Sequence, residues 1–172
     1  MTDSSVVRAP SENRRPLWVL DTNVILDWLV FADPHVRVLA QMIESGQAEL
    51  ITGLDCRAEL AHVLAYETLR SGTTQREQAF VRFDHFARVF TGSPRSEALP
   101  RCHDTTDQKF LELARDAKAD WLITKDRMLL KLAARIRRLG LFEIFSPMQA
   151  QSQCHAFVRY ASTEIANTPE GA

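Results

Sequence analysis

Five acidic side chains stand at points in the sequence where carboxylates can converge on a hard cation. Asp21 directly follows the apolar run Leu17-Trp18-Val19-Leu20, and Asp126 comes two residues after a second run, Trp121-Leu122-Ile123-Thr124. Parallel sheets bind their ligands at the carboxyl ends of strands, so both acids are placed for chemistry. Glu59 has Cys56, Val63 and Tyr66 at i−3, i+4 and i+7, which sets it on a largely apolar helical stripe. Asp107 precedes Phe110, Leu111 and Ala114 at helical spacing and opens a buried stripe, with Asp104 just upstream. An unpaired carboxylate in such surroundings costs on the order of several kcal/mol or takes up a proton, and a cation or an arginine relieves it. Clusters made of carboxylates alone select Mg²⁺ or Mn²⁺. Such a cation acidifies a water and clamps the charge of a phosphodiester in its transition state.

Each acid also has a plainer role open to it. Asp21 and Asp126 are placed to cap helices, Asp104 with Asp107 imitates a capping box, and Glu59 has a salt bridge or a rim position available.

The elements that must position these acids alternate between strands and helices. A strand at Leu17 to Leu20 ends in the turn chemistry of Asp21-Thr22-Asn23, a helix runs from Val24 to Phe31, and Pro34 opens another through Ile43 that Gly46 stops. Glu49 to Thr52 reads as the second strand, followed by a helix from about Leu54 to Leu69 closed at Ser71-Gly72. Thr73 or Thr74 caps a helix carrying Phe80, Phe83, Phe86, Ala87 and Phe90, a stripe that fits core or a dimer surface. A helix over Thr105 to Ala117, a strand over Trp121 to Thr124, a helix from Arg127 to Leu139 ended by Gly140 and a strand from Leu141 to Phe145 complete the series. This order predicts an α/β fold in three layers, α/β/α, around a parallel sheet of about four to five strands. The domain is expected over residues 16–157, between a disordered leader at 1–15 and a flexible tail at 158–172.

A chain of 172 residues, 45% hydrophobic and 25% charged, has the size of one domain. Its apolar runs fall far short of the roughly 20 residues that cross a bilayer, and no signal-peptide core opens it, so a cytoplasmic protein without membrane association is expected. Cys56, Cys102 and Cys154 lack CxxC spacing, which argues against a disulfide framework or a zinc knuckle. A formal charge of −1 disfavours bulk electrostatic binding of nucleic acid but leaves room for a local basic patch. Arg57, Lys125 and Arg127, each beside one of the acids, are candidates to hold phosphate, whereas Arg135, Arg137 and Arg138 read as a solvated helix face. Trp28 fits the core better than a base-stacking platform. There is no GxSxG elbow, GxxxxGK loop or GxGxxG motif.

With these residues assembled, the chain resembles the PIN-domain nucleases, particularly the toxin-like subgroup of bacterial toxin–antitoxin pairs. The likeness runs from about Pro16 to Phe145. It rests on Val19-Leu20-Asp21-Thr22-Asn23-Val24, Ala58-Glu59-Leu60, Asp104-Thr105-Thr106-Asp107 leading into Phe110-Leu111-Glu112-Leu113-Ala114, and Ala119-Asp120-Trp121-Leu122-Ile123-Thr124-Lys125-Asp126. The resemblance implies a Mg²⁺ or Mn²⁺ site on Asp21, Glu59, Asp107 and Asp126, with Asp104 auxiliary and Asn23 and Thr124 orienting it. It implies hydrolysis of RNA by an activated water, a cognate antitoxin as partner and a homodimeric assembly. His103 departs from the pattern, standing where this subgroup often has an arginine, and it binds phosphate only when protonated. A phosphatase of the haloacid dehalogenase type is the enzymatic rival, but its second acid is Asn23 here. A receiver-like signalling domain and a catalytically silent PIN-like partner-binding domain are the non-enzymatic ones.

Overall fold

The computed structural model describes residues 14–66 and 72–154. The expected leader up to Asn13, the end of the helix placed through Leu69, its closing Ser71, and the tail at 158–172 lie outside the described residues. Arg14 donates to Asp120 at 2.6 Å, so the start of the first strand is tied to the start of a later one.

Five strands, β1 (Leu17–Leu20), β2 (Glu49–Thr52), β3 (Ala87–Val89), β4 (Trp121–Ile123) and β5 (Glu143–Phe145), form one parallel sheet in the order β3-β2-β1-β4-β5. All four residues of β1 are buried, as a central strand covered on both faces requires. Successive side chains point to opposite faces. Trp18 and Leu20 enter one core with Leu39, Leu60, Phe83 and Phe145, while Leu17 and Val19 enter the other with Phe110, Leu111, Leu129 and Ile136. The first core lies under α1 (Thr22–Leu26), α2 (Arg37–Glu44), α3 (Leu54–Ala65) and α4 (Thr73–Phe86). The second lies under α5 (Gln108–Asp116), α6 (Arg127–Lys131) and α7 (Ala133–Arg138). This is the expected three-layer α/β/α architecture. Trp18 and Trp121, paired in register on β1 and β4, stack at 5.1 Å with 8° between planes, and Phe145 meets Trp121 edge-on at 5.2 Å. Such aromatic contacts contribute about 0.5–1.5 kcal/mol each beyond area burial.

Four elements differ from expectation. The phenylalanine-bearing helix ends at Phe86, and Ala87 turns extended (φ −91°, ψ 124°) to begin β3, which pairs with the otherwise open edge of β2. Phe83 of the stripe is buried in the core, with Phe80 and Phe86 packed against it. The first helix passes into a π-helical turn over Asp27–Phe31 and stops at Ala32 in the left-handed region (φ 51°). The α5 helix starts at Gln108, three residues later than expected. Leu132 divides the long helix expected after Asp126 into α6 and α7. Gly46 (φ 71°) and Gly140 (φ 67°) end α2 and α7 in the conformation for which glycine has no steric penalty. No helix among the described residues is long and apolar enough to cross a membrane.

Candidate functional site

The ladder between β1, β4 and β5 continues one residue past the strand ends. The Asp21 amide donates to the Ile123 carbonyl and the Thr124 amide to that of Phe145, each at 3.0 Å. These bonds fix Asp21 and Thr124 side by side at the carboxyl edge of the sheet. Thr124, fully buried, donates its hydroxyl to Asp21 Oδ2 at 2.7 Å and accepts the Asp126 amide at 2.9 Å. A hydroxyl has a single proton, so donation to Asp21 leaves its lone pairs for the Asp126 amide and locks the orientation of all three residues.

Asp126 caps α6 through Oδ1, which accepts the amides of Met128 (2.6 Å) and Leu129 (3.0 Å). Capping spends one oxygen and leaves the other without a hydrogen bond among the described residues. Asp107 occupies the position before α5 yet makes no side-chain cap bond. Asp104 instead folds back on Thr106, accepting its amide at 2.9 Å and its hydroxyl at 2.7 Å. The capping box that Asp104 and Asp107 imitate in sequence is therefore not formed. Glu59, on α3, accepts the buried Thr22 hydroxyl at 2.7 Å through Oε1 and pairs with Lys109 through Oε2.

Asp21 and Asp107 each feel the charges of the other acids. Burial pushes the Asp21 carboxyl upward and the charges of Glu59 and Asp126 add to it, while the Thr124 hydroxyl and the Asn23 backbone amide offset part of the rise. Asp107 is pushed up to about 6, first by burial and then by Asp21, Asp104, Asp126 and Glu59. Asp104 is held below the usual range by its bonds to Thr106, with His103 and Lys109 assisting. Among the described residues no three His, Cys, Asp or Glu side chains stand as a ready-made metal shell. The neighbouring carboxylates raise the proton affinity of Asp21 and Asp107 beyond what burial alone does. An all-oxygen donor set whose charges repel in this way fits a hard divalent cation.

The remaining candidates fall in different places. Asn23, His103 and Arg127 are exposed. Lys125, though between Thr124 and Asp126, turns away to pair with the buried Asp27 at 2.8 Å. Arg57 makes a two-pronged bond to Asp84 (2.8 and 2.6 Å) over the Phe80 ring, tying α3 to α4. Each of these cations is thus paired with a carboxylate outside the acid cluster. Trp28 is buried and donates to Glu44 at 2.8 Å. Arg135, Arg137 and Arg138 are exposed, as a solvated helix face requires, and Arg137 also pairs with the buried Glu143. Thr22 and Lys109 both contact Glu59, a role that the sequence spacing does not show. Thr22 adjoins Asp21, the one available signal, whereas Lys109 meets an acid 50 residues away.

A family model described as PIN domain matches residues 18–128. Among solved structures, VapBC2 from Rickettsia felis, bound to a DNA fragment from its promoter, is similar in fold with a TM-score of 0.51 and 12% identity, covering 76% of this chain and 98% of that one. The search of curated proteins finds no match.

Proposed function

The chain belongs to the PIN domain family, and from that premise we propose that it is a Mg²⁺- or Mn²⁺-dependent endoribonuclease, the toxin of a type II toxin–antitoxin pair. The observation that carries this reading is the convergence of Asp21, Glu59, Asp107 and Asp126, from four separate elements, on one region where their charges repel. A divalent cation bound there supplies positive charge against a phosphodiester and acidifies a water. The chain's own residues do the positioning. Thr124 holds Asp21 and the Asp126 turn as one unit, Thr22 fixes one oxygen of Glu59, and Asp107, at the α5 cap position without a side-chain cap bond, keeps its carboxylate unspent. Lys125, Arg127 and, once protonated, His103 are exposed groups beside these acids that suit the RNA backbone. The phosphatase and receiver-like readings leave Glu59 and Asp107 beside Asp21 without a purpose. A cognate antitoxin draws support from the likeness to VapBC2; a homodimer acting in the cytoplasm completes the proposal.

The purified protein is expected to cleave single-stranded RNA with Mg²⁺ or Mn²⁺, to stop on chelation and to resume when Mn²⁺ is returned. Cleavage that continues in chelator would overturn the proposal. Thr124→Val removes the hydroxyl that joins Asp21 to Asp126. It is expected to slow cleavage about 10–100-fold, as loss of a group that orients a ligand does. It should also cost about 1–3 kcal/mol of stability for the stranded amide. A urea melt beside a single-turnover assay separates the two effects.

A further inference from the structure

We infer that Lys109 is the resident counter-ion of the acid cluster in the cation-free protein, and that a divalent cation binds only by displacing its ammonium from Glu59. The inference rests on the proposal that this cluster takes such a cation. Glu59 has both oxygens engaged, Oε1 by Thr22 and Oε2 by Lys109. Thr22 is buried and neutral, and its single donated proton leaves the carboxylate's charge in place. Lys109 is different, because its charge cancels the one a cation would use. Among the described residues the ion pair with Lys109 is also the only one made by any of Asp21, Glu59, Asp104, Asp107 and Asp126. The lysine stands two residues beyond Asp107 on α5 and reaches across to α3, so a single side chain bridges two of the acid-bearing elements.

The geometry also lets the ammonium leave. Its side chain is 22% exposed, with Nζ 5.4 Å from the Phe110 ring centroid, and a lysine is a point charge on a flexible four-carbon stem. A rigid, two-pronged arginine would hold Glu59 more firmly. An ammonium and a divalent cation on the same carboxylate oxygen repel, so occupancy alternates. The observed affinity for the cation is then the intrinsic affinity scaled by the fraction of molecules with Glu59 free.

Isothermal titration of the chelator-stripped full chain with Mn²⁺ alone tests this beside Lys109→Met and Lys109→Arg. The methionine variant is expected to bind Mn²⁺ about three- to tenfold more tightly, in line with removal of one partly exposed ion pair. The arginine variant should bind no more tightly than wild type. In wild-type protein the side-chain NMR signal of the Lys109 ammonium should move to the position of a solvated lysine as Mg²⁺ is added, a readout that needs no variant to fold. Mn²⁺ affinity unchanged in Lys109→Met, or an ammonium signal that stays put while Mg²⁺ binds, overturns the inference and leaves the metal site standing. Absence of Mn²⁺ binding to wild-type protein overturns both.

Discussion

Asp21→Asn is expected to lower RNA cleavage on the order of 10³-fold while the fold survives intact, the scale on which one charge-stabilising group in a catalytic site is felt. The substitution is nearly isosteric, and the new amide oxygen still accepts the Thr124 hydroxyl that Asp21 Oδ2 now takes at 2.7 Å. The main-chain bond from residue 21 to Ile123 is untouched. What disappears is a buried negative charge that its surroundings resist: Asp21 is only 4% exposed, and burial together with Glu59 and Asp126 drives its carboxyl upward. The cation-free mutant should therefore melt no lower than wild type, and Mn²⁺ should raise its melting point less. A purely structural Asp21 predicts the opposite pattern, lost stability with activity falling only in proportion. Full cleavage by a folded Asp21→Asn protein would remove Asp21 from the site.

The parts of the molecule that could be read from sequence are those fixed by local pattern. Leu17–Leu20 and Trp121–Ile123 are uninterrupted apolar runs, and burial on both sides of a parallel sheet is what such runs encode. Asp21 inherits its legibility from the strand before it. Ala87–Val89 carries no such pattern, being three residues at an edge, continuous in sequence with phenylalanines at helical spacing. Its state is decided by the open edge of β2, which only the assembled sheet presents.

The site divides along the same line. Sequence could place Asp21, Asp104, Asp107 and Asp126 at element boundaries but could not decide between capping and chemistry, since both use the same position. Asp126 turns out to cap α6 and face the cluster at once, whereas Asp107 sits at a cap position without using it. Cationic partners were the least legible. Lys109 with Glu59 and Lys125 with Asp27 are separated by 50 and 98 residues, and no spacing rule links groups so far apart. A lysine beside an acid in sequence is thus weak evidence for its partner in space.

Asp107 makes the site sensitive to pH in a direction that can be worked out. Its carboxyl is raised from 3.8 to about 6 in the folded protein, so between those values the native state keeps a proton that the unfolded chain has released. Stability of the cation-free protein therefore falls as pH rises from about 4 to about 6, and the full cost is present above that. The side chain is only half-buried, and after discounting for solvent screening the cost is roughly 1 kcal/mol, or about 2–4 °C in melting temperature for a chain of this size. Carboxyls held low, such as Asp104 and Glu97, act oppositely but in a lower window, below about 4. Asp107→Asn should accordingly raise the melting point of cation-free protein at pH 7.5 and flatten its dependence between pH 4 and 6. A cation needs the deprotonated form, so Mn²⁺ affinity should weaken about tenfold from pH 7.5 to pH 5 as one proton competes. In Asp107→Asn the affinity should already be low at pH 7.5 and change less with pH. The two trends have opposite signs, because the charge that destabilises the empty site is the one that binds. A wild-type Mn²⁺ affinity that stays level across this range, or an asparagine variant less stable than wild type at pH 7.5, would show that Asp107 serves the fold rather than a cation.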